Sequence, residues 1–105
     1  MAELLTDDQL TEALSHITDW RTAEATLVRT VEFASFPQAI QAVNRIAEIA
    51  ESGDHHPDID IRWRTLTFHL STHSAGGLTT KDVTLATEID SVIDSLAEPV
   101  TDPAS

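Results

Sequence analysis

The sequence predicts a two-layer α+β domain: a four-stranded antiparallel sheet with three helices on one face, in the order α-β-β-α-β-β-α. Three observations carry this. Helix-start signatures stand at Thr6, Ser35 and Thr79. Strand-forming stretches fall between them in pairs, and paired strands separated by long helices favour an antiparallel sheet covered on one side. The chain has 105 residues, which suits one core. One domain is expected over residues 1–98, with a polar, proline-bearing flexible tail over 99–105.

The first helix opens at Thr6, with Gln9 at capping-box spacing. Leu10, Ala13, Leu14 and Ile17 mark its apolar face. The stretch WRTAEATLVRTVEFASF, from Trp20 to Phe36, reads as two short strands. Leu27, Arg29, Val31 and Phe33 nearly alternate with Val28, Thr30 and Glu32, so the buried set is left open. No Asn-Gly or Gly-X pair marks the hairpin turn, which is placed in the Thr22 to Ala25 region.

The second helix opens at Ser35, with Gln38 repeating the box and Pro37 in the first turn. Its expected stripe is Phe36, Ile40, Val43, Ala47 and Ala50, and Gly53 is the expected stop. IRWRTLTFHLSTH, from Ile61 to His73, alternates more clearly. Leu66, Phe68 and Leu70 face one way; Trp63, Thr65, Thr67, His69, Ser71 and His73 face the other. A turn near Arg64 divides it into two strands. The face bearing Thr67, His69 and Ser71 is left to solvent or to a second subunit. The third helix opens at Thr79 with Asp82, and Ala86, Ile89, Ile93 and Leu96 form its stripe.

Composition narrows the function. The net charge is −12, and Lys81 is the one lysine beside five arginines. Such a surface repels a phosphate backbone, so neither nucleic acid nor an anionic membrane is an expected partner. Solubility and adaptation to high salt both fit the acidity. No apolar run has the length of a membrane span. MAELLTDDQL has no basic region followed by an apolar block, so a cytoplasmic location without a signal peptide is expected. There is no cysteine, which excludes disulfides, thiolate metal sites and thiol nucleophiles.

The candidate chemistry centres on GDHHPD, residues 53–58. Glu51 falls in the last turn of the second helix; Asp54, His55 and His56 follow it. Pro57 pushes His56 out of helical backbone and towards a defined turn. A polar loop with two adjacent histidines is the plain alternative. Downstream, THSAGGLTTKD ends a strand with His73, crosses Gly76 and Gly77, and starts a helix. If strand and helix flank one cleft, His73 faces His55 and His56. Helix capping alone accounts for Asp82. His69 is read as an exposed strand residue and His16 as a helix-surface residue. The histidine spacing matches no usual zinc signature, and neighbours on an extended segment point apart, so no metal is expected. General acid–base work fits better, because imidazole exchanges protons near neutral pH and Glu51 or Asp54 can set its tautomer.

Glu51-x-x-x-His55-His56-Pro57, then Trp63, His73 in Thr-His, and Asp82 resemble the pattern of the pterin-4a-carbinolamine dehydratases. Five residues separate Pro57 from Trp63, nine separate Trp63 from His73, and eight separate His73 from Asp82. GGLTTKD continues the resemblance. Leu5 to Leu14 and Trp20 extend it upstream, so it covers nearly the whole domain. Trp63 stands where tyrosine is common, and Ile59 and Ile61 replace more typical polar or aromatic residues; none belongs to the acid–base set.

The resemblance implies the same fold, and dehydration of 4a-hydroxytetrahydropterin (4a-hydroxytetrahydrobiopterin) to quinonoid dihydropterin in tetrahydropterin recycling, with no metal or organic cofactor. It implies His55, His56 and His73 as catalytic, with His55 and His73 the principal acid–base pair. Glu51, Asp54 and Asp82 would orient the histidines or bind the pterin. Trp20 resembles a ring-stacking tryptophan; a core or interface aromatic is the alternative. A homodimer or homotetramer is expected. A non-catalytic assembly or regulatory module on the same fold is the competing function.

Overall fold

The computed structural model describes residues 3–97; the tail expected over 99–105 lies outside the described residues. Helix α1 (Asp7–Leu14) starts where the sequence places it. Gln9 N–H donates to Thr6 Oγ1 at 3.1 Å, and Thr6 N–H donates to Gln9 Oε1 at 2.9 Å, closing the capping box. Ile17 lies beyond the helix end and is buried in the core.

Strands β1 (Arg21–Thr22) and β2 (Leu27–Glu32) form the first hairpin. Ala23 and Thr26 exchange both backbone hydrogen bonds, at 2.8 and 3.1 Å. Between them Glu24 and Ala25 have φ of 48° and 63°. Two central residues at positive φ make the turn that suits strand twist. Neither is a glycine or an asparagine, which is why no turn signature stands in the sequence.

The register of β2 settles which of its faces is inside. Leu27, Arg29 and Val31 pair with Leu70, Phe68 and Leu66 of β4 (Thr65–Leu70) and share their face. Arg29 is a cation on that inner face. It is held by Asp90 at 2.5 Å and Asp19 at 3.4 Å. An inward charge satisfied this way hides the strand's alternation.

Helix α2 (Phe36–Gly53) begins at Ser35, whose Oγ accepts from Gln38 N–H at 3.2 Å. Gln38 Oε1 accepts from Ala34 N–H, so the box closes one residue early. The buried residues are Ala39, Ala42, Ile46 and Ala50. The expected stripe is therefore rotated by about one position: Phe36 is 46% exposed, Ala47 is exposed, and Ile40 and Val43 lie at the margins. Small alanines at the contact let the helix axis approach its neighbours closely, and the larger side chains flank it. Gly53 is the last helical residue, but the left-handed capping position belongs to Asp54, at φ 51°.

Strand β3 (Asp58–Arg62) pairs with β4 through a turn at Trp63 and Arg64. Trp63 is not on a strand face, as its place in the alternation suggests. It sits at the turn with φ 56°, 70% exposed, with the Arg64 guanidinium 4.8 Å from its ring centroid. The sheet order is β1-β2-β4-β3, antiparallel throughout.

After β4 the chain makes a compact loop. Thr72 bridges to Gly77 around a 3-10 turn over His73–Ala75, and Gly76 takes φ 77°. Helix α3 (Thr80–Ala97) then packs Leu85, Ala86, Ile89, Val92 and Ile93 into the same core as Leu66, Phe68 and Leu70. Among the described residues, no helix is long and apolar enough to cross a membrane.

Candidate active site

The end of α2, the end of β4 and the start of α3 meet at one place. Asp54 in its left-handed conformation reverses the chain, and His55 N–H donates to Ala50 O at 3.1 Å. This directs the His55 ring towards α3. Its Nε2 lies 2.6 Å from Asp82 Oδ1, and the Asp82 side chain is fully buried. The other oxygen, Oδ2, accepts from Thr79 N–H at 2.9 Å and from the Thr72 hydroxyl at 2.7 Å. The capping role expected of Asp82 is therefore real, but only one carboxylate oxygen performs it. The second holds an imidazole.

His56 points outward, and its Nε2 lies 2.9 Å from Glu51 Oε1. His73 lies exposed on the 3-10 turn. A cavity of about 310 Å³ brings these parts together, lined by Asp54, His55, His56 and His73, with Ser71, Thr72, Ser74 and Lys81. Of the sequence-predicted set, His55, His56, His73 and Asp54 line it directly. Glu51 reaches it through His56, and Asp82 stands behind His55. A second cavity of about 210 Å³ lies against His55, with Ile49 and Leu85 offering it apolar surface.

Trp20 is placed elsewhere. It is buried in the core, its ring centroid 6.4 Å from that of Phe68, and its Nε1–H donates to Asp90 Oδ1 at 2.8 Å. It does not line the histidine cavity. His69 lies on the outer sheet face 3.2 Å from Asp60, and His16 pairs with Glu12 on α1 and the turn after it. Among the described residues, no group of three His, Asp or Glu side chains is arranged to hold a metal ion.

Thr72, Thr79 and Lys81 stand at the site without a sequence signal that assigns them to it; Thr79 is legible only as a helix start. The threonines look like ordinary strand and capping residues, and their burial at 3% and 0% is set by tertiary packing. Lys81 carries one available signal: it is the chain's one lysine, and it lies next to Asp82.

The arrangement offers ionisable rings on one cavity, one of them buttressed by a buried carboxylate. Such a set can take a proton from one atom of a bound molecule and give a proton to another.

Comparison with known proteins identifies the family. The family model described as pterin 4 alpha carbinolamine dehydratase matches residues 3–92. A protein of Nocardia farcinica, provisionally named a pterin-4-alpha-carbinolamine dehydratase, is 58% identical over 88 residues, covering 84% of this chain and 93% of that one. A protein of Mycobacteroides abscessus with the same provisional name is 59% identical, covering 86% and 96%. A crystal structure from Brucella melitensis, described as a transcriptional coactivator/pterin dehydratase, superposes with a TM-score of 0.84 at 27% identity, over 86% of this chain and 98% of that one. A pterin dehydratase-like protein identified as a RuBisCO assembly factor in the alpha-carboxysome shares the fold, with a TM-score of 0.58 at 18% identity over 70% and 84%. With the family model matched along most of its length, this chain belongs to the pterin 4 alpha carbinolamine dehydratase family.

Proposed function

We propose that this chain dehydrates 4a-hydroxytetrahydropterins, 4a-hydroxytetrahydrobiopterin among them, to the quinonoid dihydropterin and water. The observation that carries the reading is the convergence of His55, His56 and His73 on one cavity, with Asp82 behind His55. The reaction removes the N5 proton and delivers a proton to the 4a-hydroxyl. The C4a–O bond breaks, water leaves, and a C4a–N5 double bond forms. The two proton transfers cancel, so the balance needs no oxidant or reductant.

In this reading His55 and His73 are the principal acid–base pair, and His56 binds the pterin and supports proton transfer. Asp82 holds the His55 ring, and Glu51 does the same for His56. Asp54 lines the cavity, where its carboxylate can accept hydrogen bonds from the pterin's amino and ring N–H groups. The activity serves tetrahydropterin recycling in the cytoplasm, in a homodimer or homotetramer.

The competing reading is a non-catalytic assembly module. Its support is the fold shared with the RuBisCO assembly factor, and at 18% identity that likeness concerns the fold alone. Turnover separates the two. Purified protein mixed with freshly generated 4a-hydroxytetrahydropterin accelerates dehydration well beyond the spontaneous rate under the first reading. Folded protein that leaves the spontaneous rate unchanged, at low and at high salt, would reverse the choice.

A further inference from the structure

The Thr72 hydroxyl is buried and lies 2.7 Å from Asp82 Oδ2 and 2.8 Å from Thr79 Oγ1. A carboxylate only accepts hydrogen bonds, so Thr72 donates to Asp82. A hydroxyl has one proton to give, so the Thr79 hydroxyl must donate to Thr72 Oγ1. Thr79 Oγ1 in turn accepts from Lys81 N–H at 3.2 Å. Each hydrogen bond in the chain therefore has a single direction, and the chain ends on Asp82. Thr79 N–H adds a second donor to the same oxygen. With Oδ2 occupied twice, Oδ1 is the oxygen presented to His55 Nε2. The acceptor-only rule applies again there: Nε2 carries a proton, and in a neutral ring Nδ1 is the nitrogen that accepts one.

We propose that Thr72 is a positioning residue for the acid–base site: its hydroxyl locks the Asp82 carboxylate and so keeps His55 in the Nε2–H tautomer, while its backbone places His73. The second half rests on the loop. Thr72 O accepts from Ala75 N–H and Gly76 N–H, both at 3.0 Å, and Thr72 N–H donates to Gly77 O at 2.9 Å. These bonds fold the turn on which His73 sits. One residue thus ties together the two histidines assigned as the acid–base pair. Directed hydrogen bonds in a buried setting polarise one another, which favours a single arrangement over several.

The kinetic part of this inference rests on the dehydratase reading; the tautomer part does not. Thr72→Val removes the hydroxyl and keeps the backbone bonds, and Thr72→Ser restores the hydroxyl. Nitrogen-15 NMR of the ligand-free protein reads the tautomer directly. Wild type and Thr72→Ser are expected to show His55 as the Nε2–H form when neutral. In Thr72→Val only Thr79 N–H still holds Oδ2, the carboxylate turns more freely away from the ring, and a mixture of both forms is expected. In turnover, Thr72→Val is expected to lose about tenfold or more in kcat with little change in KM, and Thr72→Ser to recover most of it. If Thr72→Val does not fold, Thr72→Cys takes its place; a thiol of similar size is a weaker donor and gives a partial shift. An unchanged tautomer in a folded Thr72→Val or Thr72→Cys protein overturns the proposal even if dehydratase activity is present. A shifted tautomer upholds the positioning role even if the wild type turns over no pterin, in which case the dehydratase reading alone falls.

Discussion

His55 Nε2 lies 2.6 Å from Asp82 Oδ1, across 27 residues of sequence, so an imidazole at the end of one helix is held by a carboxylate at the start of another. The contact joins the end of α2 to the start of α3 behind the histidine cavity. In the proposed dehydration, that carboxylate backs the ring assigned to proton transfer.

Asp82→Asn tests that contact. The amide keeps the shape but loses the charge and one acceptor. We expect kcat to fall by about 10- to 100-fold, the usual cost of losing a partner that orients a catalytic ring. Replacing a charged acceptor by a neutral one in these buried hydrogen bonds adds about 1 kcal/mol of destabilisation. Steady-state turnover and urea denaturation on the same preparation separate the two effects.

Trp20→Phe distinguishes a core tryptophan from a substrate-stacking one. The indole N–H bonds Asp90, and the ring packs near Phe68, away from the cavity. The variant should lose about 1 kcal/mol of stability for the broken hydrogen bond. KM for the pterin should stay at the wild-type value. A large rise in KM without destabilisation would place the ring against substrate.

The packing of α2 gives a paired prediction. Ala42 is fully buried, whereas Ala47 is exposed. Ala42→Leu should destabilise by about 1–3 kcal/mol through overpacking. Ala47→Leu should change stability by no more than about 0.5 kcal/mol. Thermal melts of the two variants suffice, and the reverse order would contradict the rotated stripe.

Much of the fold is legible in the amino-acid sequence. The capping box at Thr6 and Gln9 names its own helix, because the two side chains satisfy backbone groups a fixed distance away. The alternation of Leu66, Phe68 and Leu70 does the same for β4. The stripe of α2 is less legible, because apolar size points to Phe36, Ile40 and Val43, while the contact surface uses Ala39 and Ala42. The inner face of β2 stays open in the sequence because Arg29 is inside, paired with Asp90, and hydrophobicity alone does not register a satisfied charge. The first hairpin turn is located only roughly because Glu24 and Ala25 occupy positive φ without a glycine or asparagine to announce it. At the site, the histidines are visible as a motif. The threonine chain behind Asp82 is not, since a hydroxyl's role depends on what folds against it.

That turn supplies another test. Replacing Glu24-Ala25 by Asn-Gly puts residues suited to positive φ where the backbone already requires it. Relief of the strain should stabilise the fold by about 1 kcal/mol or more. Chemical denaturation with an unchanged m-value would bear this out; a loss of stability would mean that Glu24 or Ala25 makes a contact worth more than the strain.

The most direct test of the central claim is stopped-flow dehydration of 4a-hydroxytetrahydropterin by wild type, His55→Ala and His73→Ala. If the histidines form one acid–base site, each variant loses about 10²–10⁴-fold in turnover while melting near the wild-type temperature. Turnover by both folded variants at the wild-type rate would contradict it.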